Sequence, residues 1–450
     1  MRTVLLFAAL TIAKSALATE LDAQVDQYLN PYLETRNFQG VILVAKGDEV
    51  LLEKGYGSAS IELDVANTPE TVFHIASVSK PFTAAGILLL VEDGKVDLHQ
   101  PLDEIIPEYP HAQALTLHHL LSHTSGIPNI NSLDVYSDVQ KSAQTPESLL
   151  EYFRELPLEF EPGEKYAYSN SNYNLLALAI ERLSQLSFGE FLQSSVLEPA
   201  GTVATAHDSS ATTIIENRAE GYAPAGLFDV QRAPWLDWTA KTGNGSMIAT
   251  ASDLLLWSRA FFDDRIVSSE NRSLMTSNHT PSSGYGWFIY PRHGRTQFHI
   301  NGRSPGFSSY LGYYPEEDVT VIVLSNLYNS VTTSIGSDLA AMVFGVPYEV
   351  SQLSADRLDD ATIEGISGRY QYGSDFYNPD VVVTIEVRDG FVHQLWGTSG
   401  FQTALIPQGG DKFVDRAFWS DVQFVRDDSG TVIEVHFDGF VAHRVEEAPN

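Results

Sequence analysis

The sequence predicts an α+β region over residues 19–345 followed by a small all-β domain over 368–450. Three observations carry this. Strand-like runs stand near both ends of the first region, at 41–53 and 286–324, and enclose a mostly helical middle. Paired hairpin signals dominate the chain after 368. The chain has 450 residues, 43% of them hydrophobic, and a mean hydropathy of −0.10, enough to bury a large core and too apolar for a disordered chain.

Residues 1–18 are expected to be a signal peptide. Met1-Arg2 is a short basic start, Thr3 to Ala13 is apolar, and Ala16-Leu17-Ala18 fits an A-x-A cleavage signature. The mature protein is therefore expected to be exported, periplasmic or secreted. No later apolar run reaches the roughly 20 residues of a membrane helix, so no stable membrane anchor is expected. Leu21, Val25, Leu29 and Leu33 recur at helical spacing, with Pro31 weakening the pattern. Val41–Ala45 and Val50–Glu53 flank Lys46-Gly47-Asp48 as a hairpin. Residues 77–93 read as a helix ended by Gly94. Further helices are expected at Glu147–Phe153, Asn172–Leu186 and Ser252–Phe262, the last with Ser252 as N-cap. Strands return at Gly286–Tyr290, Gln297–Ile300, Phe307–Tyr313 and Val319–Leu324, and a helix at about 332–344 closes the unit. Residues 346–367 read as a linker, which implies that the first unit can fold alone. Beyond it, Arg388-Asp389-Gly390 and Asp428-Ser429-Gly430 mark two hairpins.

Composition narrows the function. With 27 Lys+Arg against 58 Asp+Glu, the formal net charge is −31. Such a surface repels phosphate backbones and anionic lipid, so nucleic acid is not an expected partner and a small-molecule or peptide substrate is. There is no cysteine, which excludes disulfides, thiol catalysis and thiolate metal sites.

Ser77-Val78-Ser79-Lys80 opens the apolar helix at 77–93. Three residues is about one turn, so Ser77 and Lys80 share a face, and Pro81 belongs in a first turn. The helix dipole there favours an alkoxide and disfavours an ammonium. A serine hydroxyl is a weak nucleophile without such an adjacent base. The motif alone is also compatible with a capped helix bearing a surface lysine. Tyr168-Ser169-Asn170 follows a Pro162-Gly163 turn and precedes the next helix.

Ser77-x-x-Lys80 followed by Tyr168-x-Asn170 resembles the serine β-lactamase-related hydrolases. These include class C β-lactamases, penicillin-binding D-Ala-D-Ala carboxypeptidases, D-amino peptidases and β-lactamase-like carboxylesterases. Leu120–Ile127, Gly245–Leu254 and Pro315–Asn326 add to the resemblance, which spans about 25–345 in order. It implies a β-lactamase/transpeptidase-like antiparallel sheet flanked by helices with a helical subdomain, and a lipocalin-like C-terminal domain. It implies acyl transfer through Ser77, with Tyr168, or Tyr168 paired with Lys80, as general base, Asn170 orienting substrate and Lys80, and no cofactor or metal. No Ser-Asp pair is followed by Asn, so the tyrosine branch is indicated over class A enzymes. By the same resemblance, the oxyanion hole is the backbone N–H of Ser77 and of Arg303.

The third motif of that family, K-T-G or H-T-G, has two candidates. Lys241-Thr242-Gly243 matches literally, but it lies in a loop before a helix and reads as coincidence. His299-Ile300-Asn301-Gly302-Arg303-Ser304-Pro305-Gly306-Phe307 is better placed, and His299, Asn301, Gly302 and Arg303 are its candidate substrate-binding residues. Aligned on Pro305-Gly306-Phe307, however, Ile300 stands where the cation belongs. His299 is one residue early, which on a strand is the other face unless a bulge re-aims it. Two rival readings remain: a non-catalytic sensor or binding module of the same fold, and an α/β-hydrolase using Ser304 within Gly302-Arg303-Ser304-Pro305-Gly306, which would require a strand-to-helix elbow. His119 and His123, at i and i+4, read as helix-end histidines and not as a metal pair.

Overall fold

The computed structural model describes residues 2–348, 350, 353, 358, 363–397 and 401–445. Helix α1 (Arg2–Glu34) runs without a break through the expected cleavage position. Its Leu21, Val25 and Leu29 are buried as the spacing predicts, joined by Tyr28 and Tyr32. Among the described residues no helix is long and apolar enough to cross a membrane.

The expected hairpin forms from β1 (Gly40–Lys46) and β2 (Glu49–Tyr56). It joins β3 (Phe288–Arg292), β4 (Arg295–Ser304), β5 (Phe307–Tyr314) and β6 (Val319–Ser325) in one antiparallel sheet, ordered β3-β4-β5-β6-β1-β2. The first strand thus pairs with the last, Val41 opposite Leu324 and Val44 opposite Val321. Both sheet faces are covered, so the central strands β1 and β6 are nearly continuous apolar runs instead of alternating with polar residues. On one face Val41, Leu43, Ile322 and Leu324 pack with α2 (Lys80–Glu92), α3 (Asn170–Ser184) and α4 (Ala251–Phe262). On the other, Ile42, Val44, Val321 and Val323 pack with α1 and α5 (Val331–Phe344). Helix α2 is buried from Lys80 to Leu88, as its unbroken apolar sequence requires of a central helix. The N-cap of α4 is Thr250, whose Oγ1 accepts from Asp253 N at 3.2 Å, and not Ser252.

The C-terminal strands close into an antiparallel barrel: β7 (Gly368–Tyr372), β8 (Val382–Arg388), β9 (Phe391–Trp396), β10 (Phe401–Gly409), β11 (Lys412–Asp415), β12 (Asp421–Arg426), β13 (Val432–Phe437) and β14 (Phe440–Val445). Tyr370, Tyr372, Ile385, Leu405, Phe413, Phe424 and Val435 belong to its buried core, consistent with an eight-stranded barrel just wide enough for side chains.

Much of the expected linker (349, 351–352, 354–357 and 359–362) lies outside the described residues, as do 398–400 and 446–450. The barrel is fastened to the first unit by the β11–β12 connection. Arg416 is 0% exposed and donates to Asn37 Oδ1 (2.8 Å), Gly226 O (2.8 Å), Ala225 O (3.0 Å) and Arg36 O (3.2 Å). Trp419 packs on Tyr32 with ring centroids 5.5 Å apart.

Candidate active site

Ala76 adopts φ +47°, a left-handed conformation that costs a residue bearing a Cβ. A 3-10 turn over Ala76–Ser79 then feeds straight into α2. Ser77 therefore sits one step ahead of the helix instead of capping it. Ser79 holds the cap position, and its Oγ accepts from Met247 N at 3.1 Å. Pro81 falls in the first turn, where its missing N–H has no intrahelical acceptor to lose.

Lys80 returns to Ser77, with Nζ 3.1 Å from Oγ. The same Nζ also donates to Asn170 Oδ1 (2.9 Å) and Asn244 O (2.8 Å) and lies over the Tyr168 ring at 4.9 Å. Lys80 is 1% exposed. Burial, and secondarily the charge of Lys241, hold it well below the usual lysine range.

Tyr168 Oη is 2.9 Å from Ser77 Oγ. Part of the residue remains accessible, yet desolvation pushes the phenol above its ordinary pKa. The loop before α3 is splinted from below. Asn129 Oδ1 accepts from Asn170 N at 3.1 Å, and Ser171 Oγ donates to Pro128 O at 2.7 Å. His123 packs against Tyr168 with centroids 4.5 Å apart, while its Nδ1 accepts from Ser169 N at 3.2 Å. The short helix before it ends at Leu121 and His123 has φ +57°, so His119 and His123 do not share a helix face. His123 is a support for Tyr168 that the sequence reading did not find.

Strand β4 settles the orientation of the third candidate motif. Its pairing with β5 runs in unbroken register from Phe298–Tyr313 to Ser304–Phe307, so no bulge re-aims His299 and the faces alternate strictly. Ile300 and Gly302 face the nucleophile. Ile300 is 2% exposed in the core that contains Ile75 and Val78. A Cβ at Gly302 would lie 2.4 Å from Ile75 O and 2.9 Å from Ser77 N, so only glycine lets the strand pass Ser77 this closely.

The expectation that His299, Asn301 and the Arg303 side chain bind substrate is corrected by this alternation. His299 is buried on the far face, its Nε2 3.0 Å from Tyr290 Oη, and burial lowers its pKa to about 4. Asn301 Nδ2 donates to Thr333 Oγ1 of α5 at 3.2 Å. The Arg303 guanidinium lies 4.3 Å from the Tyr328 ring centroid and 4.7 Å from that of Phe418 in the barrel. Ser304 sits between two strands with no helix following, so the elbow that an α/β-hydrolase needs is absent there.

Lys241-Thr242-Gly243 is not on a strand: Lys241 ends a 3-10 turn, Trp238–Lys241. It nevertheless belongs to the site. The loop that follows is held by its backbone, Thr242 O accepting from Asn174 Nδ2 (2.7 Å), Gly243 O from Thr83 Oγ1 (2.7 Å) and Asn244 O from Lys80. Lys241 is 5% exposed, and its Nζ donates to Tyr136 Oη at 3.0 Å.

A covered antiparallel sheet with Ser77, Lys80 and Tyr168 gathered at the start of the central helix defines a serine hydrolase of the β-lactamase/transpeptidase fold. The Beta-lactamase family model matches residues 25–340, and the chain belongs to that family. It is 29% identical over 415 residues to penicillin-binding protein 4* of Bacillus subtilis, covering 87% of this chain and 91% of that protein. Among solved structures, the octameric penicillin-binding protein homologue from Pyrococcus abyssi superposes with TM-score 0.67 at 24% identity, over 94% of this chain and 99% of that one. The D-amino acid amidase from Ochrobactrum anthropi SV3 does so with TM-score 0.66 at 23% identity, over 72% and 99%. These two likenesses establish the fold.

Proposed function

We propose that the protein is an exported serine hydrolase that works through an acyl-enzyme on Ser77 and favours ester or D-amino peptide substrates over β-lactams. The observation that carries the reading is the placement of Ser77 Oγ within hydrogen-bond reach of both Tyr168 Oη and Lys80 Nζ. Burial favours the neutral forms of both partners. A neutral Lys80 amine gives its two N–H to Asn170 Oδ1 and Asn244 O, which leaves its lone pair facing Ser77. Lys80 then takes the serine proton as Oγ attacks. Tyr168, a phenol and not a phenolate at rest, passes a proton to the leaving group. The backbone N–H of Ser77 and Arg303 receive the oxyanion, and Asn170 holds Lys80 in line. Water releases the acyl group by the reverse proton path.

Selectivity follows from β4. Penicillins and D-Ala-D-Ala peptides carry a carboxylate on the part of the substrate that the third motif holds. Ile300 offers it neither charge nor donor, and Asn301 is turned away. Losing a charge-assisted hydrogen bond costs about 1.5–3 kcal/mol, roughly 10- to 100-fold in kcat/KM. The test is relative kcat/KM on nitrocefin, a D-Ala-D-Ala peptide and a p-nitrophenyl ester, with a labelled fluorophosphonate mapping the nucleophile. Nitrocefin as the best of the three, or label on Ser304, overturns the reading.

A further inference from the structure

Lys241 is a cation without a counter-ion among the described residues. It is 5% exposed, and Tyr136 Oη at 3.0 Å is its one hydrogen-bond partner among the described residues, on a ring its Nζ also overlies at 5.3 Å. No described carboxylate lies within ion-pair distance of it. Burying an ammonium against a neutral phenol is unfavourable unless an anion completes it. Two of its three N–H have no partner among the described residues.

Its place is beside the nucleophile. A Cβ at Gly245 would stand 3.5 Å from Ala76 C and 3.6 Å from Lys241 Cβ, so Gly245 touches both Lys241 and the strained residue preceding Ser77. Three residues beyond Lys241, Asn244 O holds Lys80 Nζ. A carbonyl seated at Ser77 has two arms. The arm along β4 meets Ile300. The 241–245 loop approaches the same serine through Asn244 O on Lys80 Nζ and through Gly245 beside Ala76.

Resting on the hydrolase reading above, we propose that Lys241 is a substrate-binding residue that recognises a carboxylate carried on the acyl half of the substrate. The charge that β4 lacks at Ile300 is thereby supplied at a different subsite, and the preferred substrates are acyl groups ending in an acid. Tyr136 orients the ammonium and gives way to the carboxylate as partner.

The test compares two pairs of esters. In the first the acyl group differs: p-nitrophenyl glutarate monoester against p-nitrophenyl valerate. In the second the leaving group differs: 4-acetoxybenzoate against phenyl acetate. The wild type is expected to prefer the glutarate ester, and Lys241→Met to reduce that preference roughly 10- to 100-fold, with Lys241→Arg restoring part of it. The second pair should not respond to Lys241→Met. An unchanged preference in the first pair, or a loss confined to the second, overturns the proposal while leaving Ser77 labelling intact. Loss of labelling and of all ester turnover would instead strike the hydrolase reading. Calorimetric binding to the wild type needs neither turnover nor a variant: glutarate should bind at least about tenfold tighter than glutaramide, and equal binding overturns the proposal.

Discussion

At the scale of single residues, Ser77 and Lys80 make opposite demands on stability and chemistry. Ser77→Ala removes one hydroxyl from a 3-10 turn whose neighbours Val78 and Phe82 carry the packing, so the fold should persist while fluorophosphonate labelling and turnover vanish. Retained labelling would remove Ser77 from its role. Lys80 is destabilising by construction. Its folded pKa lies well below the 10.5 of an exposed lysine, so between that lowered value and 10.5 the unfolded chain binds a proton that the folded chain gives up. Stability therefore rises with pH through this window, by at most about 1.4 kcal/mol per unit, and levels off near 10.5. Lys80→Met should abolish turnover and raise the urea midpoint at pH 7, with the advantage shrinking toward pH 10. A constant difference between the two pH values would show that Lys80 is charged in the fold. Removing the Lys241 charge should also shift the acid limb of the kcat/KM profile to higher pH, because that charge helps depress Lys80.

At the scale of elements, β4 decides what substrates are welcome. Ile300→Lys places a cation on the nucleophile face, and should raise kcat/KM on a D-Ala-D-Ala peptide roughly 10- to 100-fold relative to a neutral ester, with the smaller Ile300→His as the variant more easily accommodated in this packed core. No gain from either variant would place the carboxylate elsewhere. The sequence made this element readable because its register is anchored by Pro305-Gly306-Phe307 and side chains alternate with period two, so the one-residue offset of His299 already pointed to the wrong face. The Ser77-Lys80-Tyr168-Asn170 set was legible for a related reason, since helical spacing and Pro81 fixed its first half locally. What stayed hidden was whatever depends on contacts between distant loops. Lys241 matched a motif but lacked its strand, and only the folded loop places it beside Ala76. His123 looked like a helix end because nothing local reveals the Tyr168 ring 4.5 Å away. The cap of α4 moved from Ser252 to Thr250, an ordinary two-residue uncertainty at a helix terminus. In the barrel, two hairpins announced themselves through Asp-Gly and Ser-Gly turns. Strands β10 and β11 did not, because a register shift at Pro407–Gly409 interrupts their pattern.

At the scale of the whole molecule, two features govern stability. The first is acid sensitivity. Burial lowers His299 and His207 to about 4, so each stays neutral in the fold where an exposed histidine would charge near 6.5. The unfolded state then binds more protons below 6.5, and stability falls as pH drops from 6.5 to about 4, by roughly 3 kcal/mol for a fully buried His299. Asp415, raised to about 6, and Glu181, also raised by burial, work in the opposite direction but are outnumbered by buried histidines, His74, His118 and His123 being lowered as well. Thermal midpoints at pH 7 and 4.5 should show the loss, and His299→Phe should reduce it. The second feature is the barrel's attachment. The first unit keeps both of its packed cores within residues that precede 345, apart from partial cover by Leu353, Tyr348 and Trp419, so a chain ending at 348 should fold and hydrolyse a small ester. It should also melt below the full chain, because Tyr32 and the Arg303–Tyr328 stack lose their aromatic covers Trp419 and Phe418. Arg416 separates docking from mere proximity. Its guanidinium, lowered to about 9 by burial, hydrogen-bonds three carbonyls and one amide oxygen of the first unit and, among the described residues, no carboxylate. Arg416→Ala in the full chain removes four hydrogen bonds and leaves the buried Asn37 Oδ1 without its partner, which alone costs about 1–3 kcal/mol, whereas truncation exposes the same acceptors to water. The point variant should therefore lose more stability per atom removed than the truncate. It should also admit protease between the two units, with cleavage appearing near residues 346–367 before either unit is degraded. Equal melting of wild type and Arg416→Ala would show that the barrel is held by its aromatic contacts alone.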